Sequence, residues 1–231
     1  FSYDEAGNAK IQMEYLPFQN LVDFNLQAST IELGWVWERI KSFLDAESDV
    51  SPTGLCKRVE KWETILGDFL LKKDNVLKVL KEGRGNLDAI SITEAESIVM
   101  SVLDCNIQDK LLHIEIPIGF CHGDFNFGNI MSDTQNKSIY LYDFLDSFVE
   151  SPLQDMAAFK QDVEIGWFIL KMNLKGRELL RSRQIMHKFD EKFVDYYKSK
   201  PWWPLVDIFL LWKLFRILPY SSGADMTHFV L

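Results

Sequence analysis

Along most of this chain apolar residues recur at the three- and four-residue spacing of an amphipathic helix. From Leu33 they fall at Leu33, Val36, Trp37, Ile40 and Leu44, which predicts one helix. After the turn sequence Ser51-Pro52-Thr53-Gly54, the series Val59, Trp62, Ile65, Leu66, Phe69, Leu70, Val76, Leu77 and Leu80 predicts a long helix or a pair over 56–81, with Gly83-Arg84-Gly85 as its C-cap. Ser91-x-x-Glu94 and Thr93-x-x-Glu96 are both capping-box patterns, and they start a helix whose apolar face is Ile98, Val99, Val102 and Leu103. The helical spacing returns over 153–170, 176–198 and 205–218, with Pro201 and Pro204 punctuating the last join.

Two short stretches break this rule. Near the N-terminus, the turn-rich residues 4–8 precede Lys10-Ile11-Gln12-Met13-Glu14-Tyr15-Leu16, whose partial alternation reads as a strand ended by Pro17, and so as a hairpin. In the middle, Ile130-Met131, the turn cluster Asp133-Thr134-Gln135-Asn136-Lys137 and the β-branched and aromatic run Ile139-Tyr140-Leu141-Tyr142 form a second hairpin. The fold class is α+β, mainly helical, with no internal repeat.

Composition narrows the possibilities. With 231 residues, 47% of them hydrophobic, the chain can build a large core, which excludes a disordered or low-complexity protein. Its 34 acidic against 25 basic side chains give a net charge of −9, and a nonspecific nucleic-acid binder needs the opposite sign to displace phosphate counterions. Cys56, Cys105 and Cys121 form no CxxC pair, so neither a disulfide framework nor a thiolate metal cage is expected, and a reducing, cytoplasmic setting fits. The most apolar stretch, 205–218, carries Asp207, Lys213 and Arg216 and falls short of the roughly 20 apolar residues of a membrane span, so a buried helix and no membrane partner are expected. The opening residues have neither a basic n-region nor an apolar h-region, and no signal peptide is expected.

Candidate chemistry is concentrated in Cys121-His122-Gly123-Asp124-Phe125-Asn126-Phe127-Gly128-Asn129 and in Tyr142-Asp143-Phe144-Leu145-Asp146. If 130–142 is a hairpin turning near Asn136, then Asn129 and Asp143 stand side by side at its open end. An amide oxygen and a carboxylate oxygen there suit Mg²⁺, which takes one or two protein oxygens and completes its shell with phosphate and water. Asp124 on the same loop can serve as a base toward an acceptor hydroxyl. Metal ligands, a positioning carboxylate and no covalent nucleophile are the parts of phosphoryl transfer. Asp and Asn are also ordinary turn residues, and Asp146 reads equally as a carboxylate supporting the metal or as a solvated turn residue. Cys121 has no identifiable orienting partner for thiol catalysis. There is no G-x-S-x-G, H-E-x-x-H or G-x-x-x-x-G-K-[ST], and the four His are dispersed.

The string His122-Gly123-Asp124 with Asn129 five residues past the Asp, followed by a hydrophobic strand ending in Asp143, resembles the catalytic and metal-binding segments of the aminoglycoside phosphotransferase and choline kinase group, which has the protein-kinase-like fold. Against the H-R-D-L-x-x-x-N and D-F-G signatures of protein kinases, Gly123 replaces the Arg and Leu145 the final Gly, departures that favour the small-molecule branch. Gln154-Asp155-Met156-Ala157 is similar to the D-L-A element of the group, whose Asp ties down the catalytic loop through its backbone. The short step from Asp143 to Asp155 leaves no room for a long peptide-docking activation segment. Gln12-Met13-Glu14-Tyr15-Leu16 resembles the last strand of the nucleotide lobe and its hinge.

The resemblance implies a kinase-like carboxyl-terminal lobe over 17–231, with 1–16 as the end of the nucleotide lobe. It implies Asp124 as catalytic base, Asn129 and Asp143 as Mg²⁺ ligands, Met13, Glu14 and Tyr15 as the hinge facing the adenine of ATP, and His122 and Asp155 as structural supports. The implied activity is transfer of the γ-phosphate of ATP to a hydroxyl of a small molecule; the alternative is a noncatalytic kinase-like binding module. The family's phosphate-covering loop and strand-borne Lys are expected upstream of residue 1. The fragment as given is therefore expected to be inactive and to self-associate through apolar surface at the hinge and cleft. The acidic balance and seven Trp point to a cationic acceptor such as an amino sugar or amino alcohol. Trp35, Trp37, Trp62, Trp167 and Trp212 are expected in the core, leaving Trp202-Trp203 as an exposed pair, and neutral sugars stack on such rings equally well. The acceptor class stays open.

Overall fold

The computed structural model describes residues 2–3, 9–10, 15–49, 51–81, 109–147, 149–172 and 174–217, with the helical pairs 93–94, 96–97 and 100–101. The expected helix-face residues Ile98, Val99, Val102 and Leu103 and the Gly83-Arg84-Gly85 cap lie outside the described residues, as do Met13 and Glu14.

At the N-terminus, β1 (Ser2–Tyr3) and β2 (Ala9–Lys10) pair antiparallel. Then come β3 (Gln19–Asn20), α1 (Leu21–Gln27) and α2 (Thr30–Ser48). The last begins in a reciprocal capping box, with Glu32 N–H donating to Ser29 Oγ at 3.3 Å and Ser29 N–H to Glu32 Oε2 at 2.6 Å. Its face Leu33, Val36, Trp37, Ile40 and Leu44 is buried, and so, one turn on, is Glu47.

The next segment corrects the expected helix over 56–81. Cys56–Lys61 is a strand, β4, paired antiparallel with β5 (Glu115–Gly119), and the helix, α3 (Trp62–Lys81), starts only at Trp62. In 56–61 the helical spacing rested on Val59 alone. What decides the conformation is a partner far away in sequence, the Ile-rich strand containing Ile116 and Ile118, which a local pattern does not see.

The second hairpin consists of β6 (Ile130–Asp133) and β7 (Ser138–Leu141), in register from Ile130 opposite Leu141 to Asp133 opposite Ser138, and β3 adds to its outer edge. Its turn is built by Asp133, whose carboxylate accepts the backbone N–H of Gln135 and Asn136 and the Asn136 side chain.

The expected helix over 153–170 is interrupted. It comprises α4 (Pro152–Lys160), a π-turn at Gln161–Ile165 and, past Gly166, α5 (Trp167–Met172). Gly166 adopts φ +80°, and its N–H is shared between the carbonyls of Gln161 and Asp162. Two longer helices follow, α6 (Gly176–Tyr197) and α7 (Trp203–Ile217). The tightly buried α7 packs on α4, and no helix among the described residues is long and apolar enough to cross a membrane.

The core is strongly aromatic. Phe159 of α4 lies 5.6 Å from Phe127, 5.3 Å from Phe193 and 6.2 Å from Phe189, centroid to centroid. The expected exposed pair Trp202-Trp203 is also corrected. Trp202 is buried against Tyr197, and Trp203 packs on Phe193 beneath the Lys160 ammonium. Although the segment is a connection, Trp202 is enclosed and Trp203 is half-buried against the core.

Candidate active site

Between β5 and β6 the chain alternates polar and aromatic side chains, and the alternation positions the site. Phe125 and Phe127 are fully buried, Phe125 stacked on Phe43 at 5.0 Å and Phe127 on Phe168 at 5.5 Å. Burying each ring contributes about 1.5–3 kcal/mol and fixes the loop at every second residue. The intervening Asp124 and Asn126 are thereby turned away from the core.

Asp124 is held on several sides. Its Oδ2 accepts the Asn126 side-chain amide at 2.8 Å and that of Asn129 at 3.0 Å, while its Oδ1 lies 3.3 Å from the Lys213 ammonium. Asn129 Nδ2 also donates to the Asp124 carbonyl at 2.9 Å. With both amide hydrogens of Asn129 on Asp124, its Oδ1 is left as an acceptor.

The backbone beneath is anchored by Asp155, fully buried in the first turns of α4. One carboxylate oxygen accepts the His122 N–H at 2.5 Å, the other the Gly123 N–H at 2.8 Å. Glu47 of α2 is buried beside it. Burial and the facing Asp155 carboxylate push the Glu47 pKa up, and burial raises that of Asp155 as well. His122 is fully enclosed and uses both ring nitrogens, Nε2 with the Tyr142 carbonyl at 2.9 Å and Nδ1 with the Asp124 N–H at 3.3 Å. The Nδ1 atom accepts, which leaves Nε2 as the donor. Cys121 beside it has its thiol pushed up to about 11, chiefly by burial, and is not a thiolate nucleophile at neutral pH.

Gly123 has φ +84°, and a Cβ there would lie 2.1 Å from the Leu145 carbonyl oxygen. Only glycine lets the loop pass under the 142–146 segment, whose Leu145 N–H donates to the His122 carbonyl at 3.0 Å. Gly123→Ala is accordingly expected to cost at least about 2 kcal/mol from the left-handed backbone and the clash together, read as a lowered melting temperature.

Asn129 and Asp143 flank the open end of the β6–β7 hairpin, where Tyr142 N–H donates to the Asn129 carbonyl at 3.3 Å. Asp143 is exposed and has φ +62°, a sparsely populated conformation for a non-glycine residue. Among the described residues no three or more His, Cys, Asp or Glu side chains converge as a metal cage. The smaller set of one amide oxygen and one carboxylate has the hard-oxygen chemistry that Mg²⁺ accepts. Asp146 is exposed, as is Tyr15, the one expected hinge residue among those described, at 85%.

Besides Glu47, three residues of this site were not singled out from the sequence. Asn126 sits beside the motif, but as a loop Asn it carries no distinguishing signal. Lys213 is a lysine in the most apolar helix of the chain. Asp162 is a carboxylate within a helical run, fully buried. Its Oδ2 accepts the Phe127 N–H at 2.6 Å, and burial, with the charge of Asp124 adding to it, raises its pKa to about 7. A charged residue at an apolar position is the signal that marks the last two.

Residues 84–168 match the phosphotransferase enzyme family APH, a stretch that takes in the whole loop, the hairpin, Asp155 and Asp162 but not Lys213. The match is consistent with the aminoglycoside phosphotransferase and choline kinase group that the motifs resemble. No curated protein and no solved structure gives a significant match.

Proposed function

We propose that this chain carries the catalytic loop and metal-binding segment of an ATP-dependent phosphotransferase that phosphorylates a hydroxyl of a small molecule. The observation that carries the reading is the Asp124 carboxylate, anchored at both oxygens yet partly open to solvent, on a loop that also presents Asn129 beside Asp143. In the reaction the acceptor hydroxyl oxygen forms a bond to the γ-phosphorus, its proton passes to Asp124, and the bond from the γ-phosphorus to the bridging oxygen breaks to release ADP. Asn129 and Asp143 would hold Mg²⁺, which when bound neutralises phosphate charge. Asp155 and His122 hold the loop so that Asp124 need not reorganise.

A cavity of about 280 Å³ beside the loop, near the usual lower bound of roughly 300 Å³ for small-molecule sites, supports a small acceptor. Trp167, Phe168 and Val22 give it apolar walls, and Asp23 and Asn126 supply polar groups for hydroxyl or amino groups. An amino sugar, a sugar or an amino alcohol meets that description. A larger cavity of about 340 Å³, between the π-turn and α6, holds none of the motif residues.

Coupled ADP-release measurements on the full-length protein with amino sugars, plain sugars and amino alcohols test the reading, and no acceptor-dependent turnover across the three classes would count against it. The metal assignment has its own test. Asp143→Ala is expected to weaken Mg²⁺-dependent nucleotide binding by about tenfold or more while the melting temperature stays within about 2 °C. Magnesium titrations that superimpose for wild type and variant would remove Asp143 from the metal site.

A further inference from the structure

Lys213 is anomalous where it stands. Helix α7 buries Leu205, Val206, Phe209, Trp212 and Leu214, yet between the last two it carries a lysine whose side chain is only 9% exposed. An ammonium withdrawn from water needs partners. Both partners of this one belong to the loop: Lys213 Nζ is 3.3 Å from Asp124 Oδ1 and donates to the Gly123 carbonyl at 3.4 Å.

These contacts complete a frame around one carboxylate. Asn126 and Asn129 occupy the Oδ2 edge of Asp124, and Lys213 occupies the Oδ1 edge. Without the lysine one edge is unrestrained, and rotation about the last side-chain bond of Asp124 is limited from one side only. The same ammonium stabilises the charged forms of Asp155 and Asp162, while the charge of Asp124 opposes that of Asp162. Lys213 is thus the ion-pair partner of Asp124, set among further carboxylates buried around the loop.

We propose that Lys213 is the positioning cation of the catalytic loop. It sets the orientation of Asp124 toward the acceptor hydroxyl. The proposal rests on the phosphotransferase reading, and it assigns to the loop a group from outside the segment that matches the family.

The test uses the full-length protein and an acceptor on which it turns over. Lys213→Gln keeps a buried donor for the Gly123 carbonyl and removes the charge, and Lys213→Arg keeps the charge. The Gln variant is expected to lose about 100-fold in kcat with KM for nucleotide and acceptor within about threefold of wild type, because positioning acts on the chemical step. The Arg variant is expected to recover at least tenfold of that loss. In combination with Asp124→Asn, Lys213→Gln is expected to add little, since the residue through which it acts is already gone. A folded Gln variant with kcat within about threefold of wild type overturns the proposal. Losses that multiply in the double variant overturn it too, as does absence of a cooperative melt in both single variants, which would make Lys213 a fold-holding residue only. If Asp124→Asn itself retains full turnover, the phosphotransferase assignment of that residue fails, a result distinct from any of these.

Discussion

Asp124→Asn in the full-length protein lowers kcat by at least about 10²-fold and leaves nucleotide affinity nearly unchanged, the loss expected when a positioned general base worth about 10²–10⁴ is removed. The substitution conserves shape but not chemistry. A carboxamide cannot take the proton of the acceptor hydroxyl, and its NH₂ group would face either the Lys213 ammonium or the side-chain amides of Asn126 and Asn129, all of them donors. Neither orientation reproduces the frame. Initial-rate ADP release with saturating acceptor, together with a nucleotide titration on the same preparation, separates the two quantities. Retained turnover would place the proton transfer elsewhere.

Asp155→Ala is expected to fail differently, by destabilising the fold. The side chain accepts two buried backbone N–H groups, those of His122 and Gly123, and its removal strands both. At about 1–3 kcal/mol for each buried donor left without a partner, the loss is roughly 2–5 kcal/mol. For a chain of this size that corresponds to a fall of about 5–15 °C in melting temperature. Asp155→Asn, which keeps one acceptor oxygen, is expected to lose less. A thermal melt of Asp155→Ala beside that of Asp143→Ala tells anchor from ligand, and equal effects on both would mean that one has been given the wrong role.

Helices whose apolar face is built from their own neighbours were legible in the sequence. The spacing through Leu33, Val36, Trp37, Ile40 and Leu44 marks the buried face of α2, and the β6–β7 hairpin is visible in its turn cluster and β-branched arms. Cys56–Lys61 was not legible, because its conformation depends on a strand more than fifty residues away. Nor was the break at Gln161–Ile165, where Asp162 turns inward to serve the Phe127 amide. The site divides along the same line. His122, Gly123, Asp124, Asn129, Asp143 and Asp155 stand in local motifs, so resemblance reaches them. Glu47, Asp162 and Lys213 meet the loop only through tertiary packing, and each shows in the sequence as no more than a charge at an apolar helical position.

That Lys213 lies 89 residues after Asp124 has a consequence for the birth of the protein. At a synthesis rate of about 5–20 residues per second, the loop leaves the ribosome on the order of ten seconds before its counter-ion is made. In the later part of that interval Asp124, Asp155 and Asp162 are all present without the ammonium, and the repulsion between Asp124 and Asp162 works against closing the loop onto α4. The nascent chain therefore carries every local motif of the site before it can assemble one. A chain interrupted between the loop and Lys213 would remain in that condition, its signature sequence intact and its site unassembled.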